Sequence, residues 1–378
     1  MSESISQFLQ ERIAVNDFPS AVYLVAEKGE IVMHEAIGFA VVEPELIEAR
    51  ADTIYDLASL TKPLVTGLIM AKLVESGRID PNAPIGDLLN EFYSSGNAEI
   101  TINQLAMHTS GLPAWKPFYL LVDTPDDIPY EIARALGASE QEPVTYSDLN
   151  FLTLAFIAEQ LAARNLDEIA TGLIFKPLGL NDTFFTPWPE LHHRIAASEK
   201  GNGYEKQTCI DEGYLEPQVG MLTDFETHNV FRTDVIWGEV HDGNAYFMGG
   251  FAGHAGLFST AEEVFKIASQ FLPNYTTLLK PETCKLFRTN FTKGMNEDRS
   301  FAFQLASTEG STAGTKMSPE SFGHNGFTGT SLWIDPVKER VFILLTNRTH
   351  ARPLPFVNIN SVRRRFHDLA IDILDQNK

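Results

Sequence analysis

Ser59 and Lys62 stand three positions apart in the segment TIYDLASLTKPLVTGLIMAKLVESGRID. At this spacing on a helix, both side chains project from the same face. A serine hydroxyl is a weak nucleophile until a base takes its proton, and a lysine that burial keeps neutral can act as that base. The first turn of a helix also offers backbone N–H groups to a developing negative charge. The pair therefore predicts nucleophilic catalysis at Ser59.

The residues around this pair decide whether it is functional, since an S-x-x-K pair also occurs on exposed helices that only face water. Apolar residues precede it, including Leu57, and others follow it at helical spacing, including Leu64 and Leu68. That pattern predicts a buried helix. Pro63 falls in the first turn, where its missing N–H removes no hydrogen bond.

The hydrophobic pattern predicts strands near both ends of the chain and helices between them. Residues 3–16 form an amphipathic helical pattern, and 21–40 contain two β-rich runs around a Lys28-Gly29 turn. Two apolar runs separated by 336–338 predict a second strand pair, which a terminal helix follows. Strands from both termini imply one sheet that both ends of the chain build, with a helical lobe inserted between them.

Within the middle of the chain, residues 60–175 have mostly helical periodicity and 150–163 form a strongly apolar helix. Residues 176–250 are rich in Gly, Pro, Asn and His and are predicted to form long loops. Loops of that length usually carry function, so we expect the segments 113–145 and 185–250 to set specificity.

Composition limits the classes of partner. The chain of 378 residues has 29 basic and 50 acidic residues and a formal charge of -21, which argues against nucleic acid and anionic membranes as partners.

Cys209 and Cys284 lack metal-type spacing and are predicted to be buried thiols. The sequence shows neither a signal peptide nor an apolar run of about 18 residues, so a cytoplasmic location is expected.

Two further motifs carry side chains that suit the same chemistry. Tyr146-Ser147-Asp148 places a phenol on a loop just before the 150–163 helix, and His324-Asn325-Gly326 is predicted to open a strand. The glycine allows a backbone to approach a ligand closely.

The order S-x-x-K, Y-x-[ND] and [KH]-x-G resembles the serine β-lactamase and penicillin-binding-protein superfamily. The likeness is greater to its class C-like branch, which includes family VIII-type esterases and D-aminopeptidases, and it extends over about 5–375. It implies an α+β, β-lactamase/transpeptidase-like fold in which helices flank an antiparallel sheet. The single catalytic domain, 1–378, would have an α/β lobe at about 1–78 and 250–378. A mainly helical and loop lobe would occupy 79–249.

The resemblance also implies roles for individual residues. Ser59 would form an acyl-enzyme, and Lys62 and Tyr146 would relay protons to and from it. The backbone N–H groups of Ser59 and Phe327 would form the oxyanion hole. The substrate-binding residues would be Asp148, His324, Asn325 and Gly326. A small ester, amide or short peptide would be the substrate, with no metal and no cofactor.

Two positions depart from the family pattern. Asp148 replaces the usual asparagine, and a carboxylate near Lys62 favours its ammonium form, so Tyr146 becomes the expected general base. His324 replaces the lysine of β-lactamases and is mostly neutral at pH 7. Both changes favour an esterase or amidase acting on short acyl esters.

Other functions remain open at this point. A β-lactamase, a D-Ala-D-Ala carboxypeptidase or a D-aminopeptidase is the alternative, and a non-catalytic penicillin-binding or sensor module is a second one. The sequence does not determine the oligomeric state.

The remaining histidines and aromatic residues give weaker signals. Structural or surface roles are expected for His108, His192-His193 and His241-Asp242, whereas His254 either lines the pocket or holds a loop by a hydrogen bond. Six aromatic residues are candidates for the wall of an acyl site or for the core: Trp115, Phe118, Tyr119, Phe247, Phe251 and Phe327.

Overall fold

The computed structural model describes residues 4–136, 142–215 and 228–376. Residues 137–141 and 216–227, which belong to the segments expected to set specificity, lie outside the described residues. The strands are β1 (Ser20–Glu27), β2 (Glu30–Val41), β3 (Ile47–Glu48), β4 (Tyr55–Asp56), β5 (Phe258–Ser259), β6 (Gln304–Leu305), β7 (Phe322–Asn325), β8 (Ser331–Asp335) and β9 (Arg340–Thr346).

The α-helices are short except for three of ten residues or more. They are α1 (Ile5–Ala14), α2 (Leu68–Glu75), α3 (Ile102–Ala106), α4 (Phe118–Leu121), α5 (Ile128–Arg134), α6 (Asp148–Ala162), α7 (Leu166–Ala170), α8 (Gly203–Asp211), α9 (Gly243–Phe247), α10 (Ala261–Ala268) and α11 (Asn360–Gln376). In the described part of the chain, no helix has the length and apolar character needed to cross a membrane.

Seven strands form one sheet in the order β3-β2-β1-β9-β8-β7-β6, and every pair in it is antiparallel. The central pair joins β1 from the start of the chain to β9 from its end. This arrangement confirms the prediction of an antiparallel sheet built from both termini and flanked by helices.

Strand β1 is buried on both faces of this sheet because helices cover both sides. Val22 and Leu24 point into the larger core, which contains residues of α2, α6 and α10. Tyr23 and Val25 point the opposite way, into a smaller core with residues of α1 and α11. Since successive side chains of a strand alternate between faces, each face buries an apolar row, and each fully buried Val or Leu contributes about 1.5–3 kcal/mol.

Several predicted boundaries change in the structure. The helix predicted at 150–163 spans Asp148–Ala162, and the one predicted at 3–16 spans Ile5–Ala14 in the described residues. The stretch predicted as long loops contains α8 and α9. Asp242 accepts a hydrogen bond from Ala245 N at 2.8 Å and so caps the N-terminus of α9. The Gly, Asn and His residues nearby favoured a loop and hid this capping signal in the sequence.

The prediction that His324-Asn325-Gly326 opens a strand is wrong. His324 and Asn325 end β7, and Gly326 begins the turn into β8. Strand β7 is only four residues long and lacks an alternating apolar pattern, so the sequence did not distinguish it from the loop before β8.

Candidate active site

The chain around Ser59 is not the regular α-helix that the sequence predicts. Ala58–Leu60 form one 3₁₀ turn, Lys62–Gly67 form a π-helical segment, and α2 follows. Ala58 has a φ of 47°, a left-handed conformation that a residue with a Cβ rarely adopts. Such strain is typical of functional turns.

Hydrogen bonds from Asp56 and from the segment between β7 and β8 hold this turn in place. Asp56 Oδ1 accepts from Ala58 N at 2.8 Å, while Thr328 Oγ1 donates to Asp56 O at 2.7 Å and Thr330 Oγ1 donates to Leu57 O at 2.9 Å. The turn that carries Ser59 and the turn between β7 and β8 are therefore fixed to each other.

Gly326 is required by this close approach. A Cβ at this position would lie 2.0 Å from Thr330 Oγ1 and 2.5 Å from Leu57 O. Because glycine lacks that carbon, the backbone next to Phe327 packs against the turn that carries Ser59.

Lys62 lies at the centre of the site with its side chain fully buried. Its Nζ is 2.9 Å from Ser59 Oγ, 3.1 Å from His254 O and 2.7 Å from Asp148 Oδ1. Burial lowers the pKa of Lys62, but the charges and hydrogen bonds of Asp148 and Tyr146 outweigh it, so the pKa is raised. Lys62 is therefore an ammonium group at neutral pH.

Tyr146 lies over this ammonium group, with the centre of its ring 4.9 Å from Lys62 Nζ. Its ring packs against His108 at 4.6 Å and near His324 at 5.7 Å. Burial raises the pKa of Tyr146 more than the charge of Lys62 and the hydrogen bonds from Lys62 and Ser59 lower it. At rest the phenol keeps its proton.

The loop that carries Tyr146 is positioned by hydrogen bonds to its neighbours. His108 Nδ1 accepts a hydrogen bond from Ser147 N at 3.0 Å, and Ser147 Oγ donates to Pro113 O at 2.6 Å. Asp148 N donates to Ala114 O at 2.8 Å, which orients the first turn of α6. His108 thus has the structural role expected of it.

His324 is buried and uncharged. Burial and the nearby charges of Lys62 and Arg299 lower its pKa well below the ordinary histidine value. Its Nδ1 lies 2.9 Å from Asn325 O, so the Nδ1–H form donates to that carbonyl. Asn325 Oδ1 accepts a hydrogen bond from Thr312 Oγ1 at 3.0 Å.

These residues meet on one wall of a cavity of about 990 Å³. Ser59, Tyr146, Asp148 and all three residues of the His324 motif line it. Phe327 and Trp115 line it as well, whereas Phe118 and Tyr119 are buried in the core and Phe251 packs against Phe185.

Other lining residues were missed by the sequence reasoning. Glu205 and Tyr204 reach the cavity from α8, and Arg299 reaches it from the segment before β6. None of them belongs to a recognisable motif, and α8 was expected to be a loop. Only the tertiary structure brings them to the site.

His254, which is buried, and Asp242, which is partly exposed, form a second pair near Lys62. His254 Nε2 lies 2.9 Å from Asp242 Oδ1, and this carboxylate overcomes the effect of burial and raises the pKa of His254. Asp242 therefore belongs to the site, contrary to the surface or structural role expected from the sequence. His241, in contrast, pairs with Glu199 at 2.8 Å, and His192 stacks on Trp237.

Asp148, Asp242 and His254 bring three possible metal-ligand atoms within 4.8 Å of one another. The two carboxylates already form ion pairs, Asp148 with Lys62 and Asp242 with His254. A cation there would have to displace the Lys62 ammonium, so the residues fit an ion-pair network better than a metal centre.

Comparisons with known proteins identify the family of the chain. The family model described as Beta-lactamase matches residues 5–362. A putative D-alanyl-D-alanine carboxypeptidase of Escherichia coli (strain K12) is 28% identical over 92% of this chain and 82% of its own. Another protein of that name, from Salmonella gallinarum (strain 287/91 / NCTC 13346), is 30% identical over 88% of this chain and 80% of its own.

Two solved structures show the same fold. The class C β-lactamase from Rhodobacter sphaeroides has a TM-score of 0.70 at 18% identity and covers 99% of this chain and 100% of its own. EstCE1, described as a hydrolase with promiscuous acyltransferase activity, has a TM-score of 0.70 at 18% identity and covers 97% of each chain.

Proposed function

Because the chain belongs to the Beta-lactamase family and is a serine hydrolase, we propose that it cleaves small esters or amides through an acyl-enzyme on Ser59. The observation that carries this proposal is the position of Lys62 Nζ, 2.9 Å from Ser59 Oγ and 2.7 Å from Asp148 Oδ1. A buried ammonium group in contact with a serine hydroxyl is the arrangement that a charge-assisted proton relay needs.

The reacting form is the Lys62–Tyr146 pair after the loss of one proton. The phenolate of Tyr146, next to the Lys62 ammonium, accepts the proton of Ser59 while Oγ attacks the carbonyl carbon. The phenol then returns this proton to the leaving alcohol or amine. In the second half, water attacks the acyl carbon, its proton passes to Tyr146, and Ser59 regains a proton as the acid leaves.

The oxyanion of each tetrahedral intermediate would be bound by the backbone N–H groups of Ser59 and Phe327. The close contact of Gly326 with Leu57 and Thr330 supports this role, because it holds the Phe327 backbone against the Ser59 turn. One such donor is worth about 3 kcal/mol of transition-state stabilisation.

The neutral His324 favours substrates without a carboxylate at that subsite, and we therefore expect p-nitrophenyl acetate or butyrate to be hydrolysed. The experiment combines ester turnover with intact mass after incubation with a fluorophosphonate, and Ser59→Ala is the control. We expect one covalent adduct on the wild type and none on the variant. An unlabelled Ser59 without ester turnover would point instead to a non-catalytic sensor or binding module.

A second candidate is cleavage of a D-Ala-D-Ala terminus, the activity in the names of the curated relatives. Arg299 favours it, since this side chain lines the cavity near Tyr146 and its buried Nη1 donates no hydrogen bond in the described part of the chain. A terminal carboxylate would satisfy that donor. Turnover of a D-Ala-D-Ala peptide without ester hydrolysis would place this candidate first.

A further inference from the structure

Glu205, in the first turn of α8, is a buried carboxyl group on the wall of the same cavity as Ser59. The residue is 7% exposed. Its Oε2 accepts a hydrogen bond from Gly243 N at 2.9 Å, which fixes the carboxyl group. Its Oε1 is buried and accepts no hydrogen bond from the described residues. A buried oxygen without a hydrogen bond destabilises the folded protein, and a bound ligand that donates a hydrogen bond to it would offset this cost.

The cations nearest to Glu205 are engaged elsewhere. Arg232 donates to Asn202 Oδ1 at 2.9 Å, to Val240 O at 2.9 Å and to His241 O at 3.1 Å. His241 Nε2 faces Glu199 at 2.8 Å. Within the described ranges, no salt bridge therefore reaches Glu205.

Of the charged groups that face Glu205, His241 lowers its pKa, but Asp242 raises it more. Asp242 adds a negative charge. The Tyr119 hydroxyl, whose hydrogen bond lowers the pKa of Glu205, is neutral and also lies 3.3 Å from Cys209 Sγ. Burial, followed by the charge of Asp242, raises the pKa of Glu205 to about 7. Among the described residues, the carboxylate thus has no counter-charge in direct contact with it.

We propose that Glu205 binds a primary ammonium group of the substrate, so that the enzyme acts on amine-bearing esters or peptides; this rests on the proposed function. Aromatic rings on the same cavity suit that ligand, since Trp115, Tyr204 and Tyr214 all line it. The faces of such rings attract cations. An ammonium group at Oε1 would supply both a hydrogen bond to this oxygen and a counter-charge in direct contact with the carboxylate.

The test measures binding, so that it does not depend on hydrolysis. Hexylamine, which is protonated at pH 8, and 1-hexanol, its neutral analogue of the same length, are titrated calorimetrically into the wild type, Glu205→Gln and Glu212→Gln. Glu212 also lines the cavity but is exposed, so its variant removes the same charge from the same cavity. We expect the wild type to bind hexylamine at least about tenfold more tightly than hexanol, and Glu205→Gln to lose this preference.

The control variant should keep the preference within about twofold, because an exposed charge is screened by water and salt. Equal binding of the two ligands by the wild type would overturn the proposal without any variant. So would a preference that survives in Glu205→Gln, or one that both variants reduce equally. Failure of the proposed function is seen separately, as a missing adduct on Ser59.

Discussion

Lys62 Nζ lies 2.7 Å from Asp148 Oδ1, and the lysine side chain is wholly buried while the aspartate is 17% exposed. This pair sets the charge of the whole site. The carboxylate raises the pKa of Lys62 against the effect of burial. Burial, and to a smaller extent the carboxylate, raise the pKa of Tyr146, so at neutral pH the lysine and the phenol both hold their protons. The proposed reacting form has lost one of these protons.

We therefore expect kcat/KM to rise with pH above neutrality, and Asp148→Asn to move this rise to lower pH. Removal of the carboxylate lowers both pKa values, because its negative charge raises each of them. The measurement is the pH profile of p-nitrophenyl butyrate hydrolysis, and an unchanged profile in Asp148→Asn would contradict the assignment. The variant should also lose about 3 kcal/mol of stability, because it leaves a buried ammonium unpaired.

Tyr146→Phe and Lys62→Ala test which group takes the proton. We expect each to lower kcat by about 10² to 10⁴, since proton transfer by a positioned group contributes that much. Tyr146 fills this role in the proposal, so a Tyr146→Phe enzyme with nearly full activity, beside an inactive Lys62→Ala, would make Lys62 the base. Circular dichroism of both variants separates lost chemistry from lost folding.

Gly326→Ala tests whether the turn between β7 and β8 must approach the Ser59 turn. The new Cβ would meet Thr330 Oγ1 at 2.0 Å and Leu57 O at 2.5 Å, so the two turns must separate. We expect kcat to fall at least about tenfold, because the backbone N–H of Phe327 would bind the oxyanion less well. Gly172→Ala is the matched control, because no heavy atom lies within 4 Å of its added Cβ. Equal kcat values in the two variants would argue against the close approach as a requirement.

His367 is expected to make the fold sensitive to acid at a position outside the active site. Burial lowers its pKa to about 3, so the folded state keeps this histidine neutral while the unfolded state takes up a proton below about pH 6.5. Its contribution to stability is complete above that pH and is lost as the pH falls. We expect His367→Gln to weaken the fall of the free energy of unfolding by up to about 1.4 kcal/mol per pH unit below pH 6.

Chemical denaturation at pH 7, 6 and 5 measures this difference between the wild type and His367→Gln. His193→Gln is the control, since His193 is not fully buried. The same slope in the wild type and in His367→Gln would show that the histidine is accessible to protons in the folded state.

The sequence by itself determined the fold class and the site residues Ser59, Lys62 and Tyr146 as candidates. Runs of β-forming and apolar residues at both ends of the chain predicted the sheet, because such side chains fit the pleated surface of a strand. The S-x-x-K spacing also brought two side chains together for a local reason, although the helix proved to be a 3₁₀ turn and a π-helical segment.

Only the tertiary structure decided what surrounds those residues. Asp242 and Glu205 are far from Ser59 in the chain and lie in no motif, yet the fold places Asp242 beside His254 and Glu205 on the cavity wall. The sequence favoured the ammonium form of Lys62 because of Asp148, but burial lowers the pKa of Lys62 and Asp148 raises it, so the balance depends on the distance between the two groups in the fold. Electrostatic interactions depend on distance and burial in space, which spacing along the chain does not specify.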